Sequence, residues 1–259
     1  MRQLMIIPDR KCMNECLEMA DKYQLGFEYN DFFNPNILDD ENEVNKIIAE
    51  YKNYNLPQYT TLHGDFFDVL PFSEDAKIRE ISDIRVKQSI DVAKKIGAKA
   101  VVFHTNYNPF LNTKHYVDNF VEHNVNYWGR LLETNEDINI YLENMFDRTP
   151  CVMEAISEGL KDYKNYGVCM DYAHAYISEV EPQIWARDLS KYIKHIHIND
   201  NDGISDLHLA WGEGKINRNT FYKCYEKYME GATVLIETSK MVNKKSSLEV
   251  FAKEGFISI

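Results

Sequence analysis

Short runs of apolar, β-branched and aromatic residues alternate with helix-periodic stretches along the whole chain. The runs predict strands over Gln3–Pro8, Gly26–Asn30, Tyr59–His63, Ala98–Thr105, Ile138–Glu143, Tyr166–Asp171, Ile193–Asn199 and Thr233–Thr238. Between them, apolar positions recur at helical spacing. Asp75–Ile96 carries Ile78, Ile81, Val86, Ile90, Val92 and Ala93. Cys151–Tyr163 opens with Thr149 as N-cap and Pro150 at the first helical position. Strands separated by helices cannot pair as hairpins, so they imply parallel βα units. Eight such units in 259 residues predict an α/β fold, a closed (β/α)8 barrel, as one domain over 1–259. No Gly-rich phosphate loop follows any predicted strand, and no Pro-, Gly- or Ser-rich linker interrupts the pattern.

In such a barrel the residues that do chemistry stand at the C-terminal ends of the strands. Six consecutive strands place His, Asp or Glu there, or in the loop that follows. Strand 3 ends in His63 and strand 4 in His104, strand 5 delivers Glu143, and strand 6 delivers Asp171 with His174 three residues on. Strand 7 carries His197, with Asp206 and His208 in the next loop, and strand 8 closes on Glu237. Nearly all follow apolar runs, where unpaired charge is costly to bury. Convergent imidazoles and carboxylates on one rim are best stabilised by divalent metal ions. A lone member of this set would more simply be a hydrogen-bonded strand end or, for an Asp, a helix cap. The other three histidines read differently. His115 and His123 fall in a helical stretch and are expected on the surface, while His195 shares a strand face with His197 one layer deeper and is expected as packing or support.

Composition narrows the partners. A net charge of −12 gives no overall field to attract nucleic acid. Five acidic residues and no basic one lie in Asp31–Glu43 after strand 2, and four acidic and no basic in Gly64–Asp75 after strand 3. DNA binding rests on Lys and Arg at phosphates, and both loops oppose it. The cysteines Cys12, Cys16, Cys151, Cys169 and Cys224 are odd in number and scattered, which suits reduced thiols; Cys12 and Cys16 are expected on one buried helix face. No apolar run is long enough to span a bilayer, and the apolar start is too short for a signal peptide, so a cytoplasmic location is expected.

The rim segments Leu62-His63-Gly64, Val102-Phe103-His104, Leu142-Glu143-Asn144, Asp171-Tyr172-Ala173-His174, His197-Ile198-Asn199-Asp200, Asp206-Leu207-His208, Gly212-Glu213-Gly214 and Glu237-Thr238 resemble the xylose isomerase-like TIM barrel superfamily, and within it the endonuclease IV group, AP endonuclease family 2. The resemblance implies a site for up to three divalent ions, usually zinc, with Mn2+, Fe2+, Co2+ or Mg2+ as alternatives. His63, His104 and Glu143 would hold one ion. Glu143 would bridge to a second on Asp171, His197 and Glu237, and His174, Asp206 and His208 would hold the third. It further implies phosphodiester hydrolysis, with Glu143 and Glu237 as catalytic groups. The alternative within the superfamily is a sugar or sugar-phosphate isomerase or epimerase with a single ion on Glu143, Asp171, His197 and Glu237, the two glutamates moving protons. A non-catalytic metal- or sugar-binding barrel is a third reading. Ligand count favours the hydrolase.

Substrate contacts are expected from Phe66 and Lys215, with a small phosphoester preferred over abasic DNA. Arg10 and Glu28, at or after the ends of strands 1 and 2, are further candidates, as are the aromatic residues Phe67, Tyr107, Trp128, Tyr172 and Trp211, each of which reads more readily as helix–barrel packing.

Overall fold

The computed structural model describes residues 2–66 and 68–257. Its eight parallel strands follow one another in chain order and close, β8 pairing with β1. They are β1 Leu4–Ile6, β2 Gly26–Tyr29, β3 Thr60–His63, β4 Ala100–His104, β5 Asn139–Glu143, β6 Tyr166–Asp171, β7 Ile193–Ile198 and β8 Thr233–Ile236. Each lies within the run that predicted it. The helices are α1 Met13–Tyr23, α2 Pro35–Leu38, α3 Glu41–Lys52, α4 Ala76–Ile96, α5 Lys114–Thr134, α6 Cys151–Leu160, α7 Tyr172–Ile177, α8 Pro182–Asp188, α9 Arg218–Cys224 and α10 Met241–Lys253.

Strand residues alternate between two surroundings. One set, including Val101, Phe103, Leu142, Met170, Ile196 and Val234, joins the large apolar cluster shared with the helices. Each such side chain contributes roughly 1.5–3 kcal/mol when fully buried. The opposite set faces the barrel interior, where Ala100, Val102, Tyr141 and Cys169 form a small cluster of their own. Beside them the interior is polar: Glu28, Thr61, His195 and Thr233 are all buried. One step of two residues further along the same strands stand His63, His104, Glu143, Asp171 and His197, and Glu237 stands two such steps beyond Thr233, just past the end of β8. The period of two therefore lifts these six groups from the packed interior onto one rim.

Three local expectations are revised. α4 has its N-cap bond from Lys77 N to the Asp75 side chain and stops at Gly97, whose φ of 87° only glycine adopts readily. Its Val86, Ile90, Val92 and Ala93 are buried, but Ile78 and Ile81 are exposed. At 21 residues the helix is about 31 Å long, far longer than the short strands it backs, so its first turns extend past the core. α6 has Pro150 rather than Thr149 at the capping position, with no side-chain cap, and it ends at Leu160, short of Tyr163. Cys12 lies in a short 3-10 turn leading into α1, while Cys16 is buried on the helix and its Sγ accepts from Asp9 N at 3.3 Å. All five thiols are free. His115 and His123 are exposed on α5, as expected. No described helix is long and apolar enough to cross a membrane.

Candidate metal centre

Glu143 is the hub of the rim. Its carboxylate lies 3.4 Å from His63 Nε2, 3.5 Å from His104 Nε2, 3.8 Å from His174 Nδ1 and 3.2 Å from His197 Nδ1. Asn144, next in sequence, locks β5 to β6: its side chain accepts from Asp171 N at 2.9 Å and donates to Asp171 O at 3.0 Å. Asp171 in turn caps α7, accepting from His174 N at 2.6 Å, which fixes where His174 stands. Glu237 Oε2 reaches to 3.6 Å from His197 Nδ1 and 3.9 Å from His208 Nδ1. Asp206 Oδ2 sits between His174 Nε2 at 3.3 Å and His208 Nε2 at 2.9 Å. The structure thus brings all nine predicted residues into one connected cluster.

Among the described residues, donor atoms lie within 4.8 Å of one another in four sets: Glu143, Asp171, His197 and Glu237; His63, His104 and Glu143; His63, His197 and Glu237; and Cys169, His195 and His197. The first two are sets expected from the sequence. The last is one layer down, where both imidazoles already face Glu28. His174, Asp206 and His208 are joined instead as a chain through Asp206 Oδ2.

Two observations show that the site suits cations. Glu143 Oε2, Asp171 Oδ2, Glu237 Oε2 and His197 Nδ1 are buried and make no hydrogen bond, a costly arrangement for a closed polar cluster. The field also demands positive charge. Burial disfavours charged imidazoles, yet Asp171, Asp206 and Glu143 hold His174, and Cys169 with Glu143, Glu28 and Glu237 hold His197, well above the ordinary histidine range, while Asp206 and Glu237 push His208 up to about 10. Burial works against ionised Glu143 too, but His197 and His104 hold it well below the usual carboxylate range. Asp171 goes the other way, raised to about 7 by burial and by repulsion from Glu237 and Glu143.

The loop bearing Asp206 and His208 is pinned from below. Asp200 accepts from Gly212 N at 2.9 Å and Ile216 N at 3.0 Å, and Lys215 N donates to Asn201 O at 2.7 Å. At Gly214 a Cβ would lie 2.3 Å from both Asn201 O and Asp200 Oδ1. Gly214→Ala is therefore expected to displace this loop and lower the metal content by about one ion, leaving the other donor sets intact; elemental analysis of the purified variant checks it.

The other candidates separate clearly. Phe66 stands against the cluster, its ring 5.1 Å from that of His63 and 4.9 Å from that of His104. Lys215 is exposed, and its hydrogen bonds among the described residues are main-chain, its N donating to Asn201 O at 2.7 Å and Tyr176 donating to its carbonyl at 2.9 Å. Arg10 is tied to Asp31 at 2.8 Å and to Glu50, which leaves it engaged in structure. Trp128, Tyr172 and Trp211 are buried packing, whereas Tyr107 lines the cavity above the site. Phe67 lies outside the described residues.

Glu28 is neither a rim contact nor idle. It is buried inside the barrel, with Oε1 3.1 Å from His197 Nε2 and Oε2 3.1 Å from His195 Nε2; Thr61 donates to Oε2 at 2.6 Å. His195 is thus support, as expected, and its Nδ1 meets Thr233 Oγ1 at 2.5 Å. Asp147, four residues after Glu143 and buried, was not among the residues singled out from sequence. Its one signal was an acidic residue in the loop after strand 5.

A family model described as xylose isomerase-like TIM barrel matches residues 17–253. An uncharacterized protein of Methanocaldococcus jannaschii, MJ1311, is 30% identical over 205 residues, 73% of this chain and 67% of that one. Fructoselysine 3-epimerase of Shigella flexneri is 26% identical over 212 residues, 71% of each chain. Two solved structures share the fold across nearly the full length. The TTHB071 protein of Thermus thermophilus, soaked with ZnCl2, has a TM-score of 0.74 at 21% identity, covering 98% of this chain and 99% of that one. Endonuclease IV of the same organism has a TM-score of 0.67 at 17% identity, covering 98% of each. Epimerases and an endonuclease thus stand on the same scaffold, and the chain belongs to the xylose isomerase-like TIM barrel family.

Proposed function

We propose that this protein hydrolyses small phosphate esters at a cluster of divalent metal ions held by the nine rim residues. The observation that carries this is the orientation of three imidazoles. His63 Nδ1 lies 3.0 Å from Gly64 O, His174 Nδ1 2.9 Å from Asn144 O and His208 Nδ1 2.9 Å from Glu237 O. Each ring is thereby fixed with its N–H on a main-chain carbonyl and its Nε2 lone pair turned inward, the support that metal-ligating histidines ordinarily have. Each Nε2 meets a carboxylate: His63 on Glu143, His174 and His208 on Asp206. A single-ion site on Glu143, Asp171, His197 and Glu237 does not call on His63 or His208 as ligands.

Bound divalent ions supply a nucleophile from water at neutral pH and offset charge on phosphate oxygens. The chain's own part is to hold Glu143 between the His63/His104 side and the Asp171/His197/Glu237 side, and to keep Phe66 across the opening. The acidic loops after β2 and β3 and the cavity of about 950 Å3 above the site favour a small molecule over a nucleic acid.

A second reading, epimerisation or isomerisation of a sugar with one ion, is favoured by the compact donor set Glu143, Asp171, His197 and Glu237 and by the likeness to fructoselysine 3-epimerase. There Glu143 and Glu237 would exchange a proton with a carbon of the substrate. Metal content separates the two. The hydrolase reading expects about three ions per chain, with loss of ions and of bis(4-nitrophenyl) phosphate turnover in His63→Ala and His208→Ala. About one ion, retained in both variants, together with exchange of ketose C–H for deuterium in D2O, would replace it with the epimerase.

A further inference from the structure

The cavity above the metal centre has a wall whose chemistry the ligand set does not explain. His104 and His174 form part of its lining, so it opens directly on the cluster. Away from them it is walled by the loops after β4 and β5, where Phe110 and Phe146 line it while 79% and 57% exposed. Large aromatic side chains so open to water at the mouth of a cavity mark a surface that a ligand covers. Between these loops lies Asp147, 5% exposed. Its Oδ2 accepts from Thr105 Oγ1 at 3.0 Å and from Met145 N at 3.3 Å, whereas its Oδ1 is buried and meets no donor. Besides His104 and His174, the charged side chains that line the cavity with Asp147, among the described residues, are Asp68, Glu179 and Arg148. Arg148 is already paired to Glu179 at 2.9 Å and lies 4.7 Å from the Phe110 ring centroid. Asp147 feels the charge of His174 across the cavity, yet it keeps a vacant acceptor at Oδ1 beside these aromatic faces.

The geometry points to a subsite for an organic ammonium group: the non-reacting half of the ligand is an apolar body that carries an amine, placed on Asp147 Oδ1 and covered by Phe110 and Phe146. An ammonium supplies the missing donor at Asp147 Oδ1 and is held by aromatic faces better than a neutral hydroxyl. The inference deepens the phosphoester reading and rests on it for the reacting half of the ligand. It accords with the Asp147 carboxyl, which burial raises to about 6 in the absence of such a partner.

The test does not depend on turnover. Phenethylamine and 2-phenylethanol share a ring and differ in the ammonium; each is titrated calorimetrically into the metal-loaded chain. The amine is expected to bind about tenfold tighter than the alcohol. Asp147→Asn should erase that preference, and Phe146→Ala, which removes an exposed side chain, should weaken the amine several-fold. Equal affinities, no binding of either compound, or a preference that survives in Asp147→Asn would overturn the subsite. The wild-type comparison alone suffices if the Asp147 variant does not fold. Phosphodiester turnover without the amine preference would remove this inference and leave the hydrolase; the preference without turnover would keep the subsite and remove the hydrolase.

Discussion

Glu143→Gln is expected to abolish metal binding and turnover together. The Glu143 carboxylate stands 3.2–3.8 Å from four imidazoles on three strands and α7, so it belongs to more than one donor set. A neutral amide keeps the volume and one acceptor but loses the charge and the second acceptor oxygen. The remaining carboxylates at the core of the site are Asp171 and Glu237, which repel one another, with Asp171 already driven toward neutrality. Losing an outer hydrogen-bonding partner costs a metal site roughly 10–100-fold in affinity; losing a shared inner carboxylate should exceed ~100-fold and fall on both neighbouring sets. Thermal unfolding provides a readout without substrate. Zinc at about a thousand times its Kd stabilises the wild-type chain by ~4 kcal/mol, and a chelator removes that gain. In Glu143→Gln the curves with and without zinc should nearly coincide. A variant that still shows the full zinc-dependent rise, or full turnover with metal stripped, would show that Glu143 is not the hub.

The barrel and its rim were legible because a closed parallel barrel combines two periodicities in the sequence. Apolar runs bounded by helical stretches located all eight strands, and the strand period of two carried His, Asp or Glu to the same end of strands 3 to 8. What the sequence concealed depends on distance in the chain. In Gly26-Phe27-Glu28-Tyr29 the glutamate reads as a rim residue, since its partners Thr61, His195 and His197 come from strands far along the chain. Asp147 is hidden for a related reason: an acid in a loop is usually solvated, and only the packing of Thr105 and the loop after β4 buries it. Lys215 is a case in the opposite direction. Its place after Gly212-Glu213-Gly214 suggested a phosphate contact, but the glycine there serves the close approach of Asn201 and Asp200. Ile78 and Ile81 follow the helical period of α4 and still face water, because periodicity gives the face of a helix and not how far the barrel beneath it extends.

Glu28→Gln should separate the candidate metal ligand His197 from its support. Although burial disfavours its charge, His197 and His195 hold Glu28 ionised, well below the usual carboxylate range. Glu28 Oε1 lies 3.1 Å from His197 Nε2 without being aligned for a hydrogen bond, so it is the carboxylate's charge that favours a proton at that nitrogen and leaves the Nδ1 lone pair toward Glu143 and Glu237, where an ion would take it. Glutamine can accept through one atom only, and its NH2 then confronts the N–H of His197, the N–H of His195 or the hydroxyl of Thr61. The Nε2–H tautomer of His197 loses its preference, and affinity for the ion on Asp171, His197 and Glu237 is expected to fall roughly 10–100-fold. The His174, Asp206 and His208 set should keep its ion, because its imidazoles are fixed by main-chain carbonyls instead. Glu28→Ala goes further: it leaves two buried imidazoles without their acceptor and should cost about 3–5 kcal/mol in metal-free denaturant unfolding. Imidazole 15N shifts report the tautomer directly, so a merely structural role predicts lower stability with His197 still protonated at Nε2. A Glu28→Gln chain with unchanged tautomer and unchanged zinc affinity would mean that Glu143 and Glu237 orient His197 from above, and that the carboxylate beneath it serves only to fill a polar barrel.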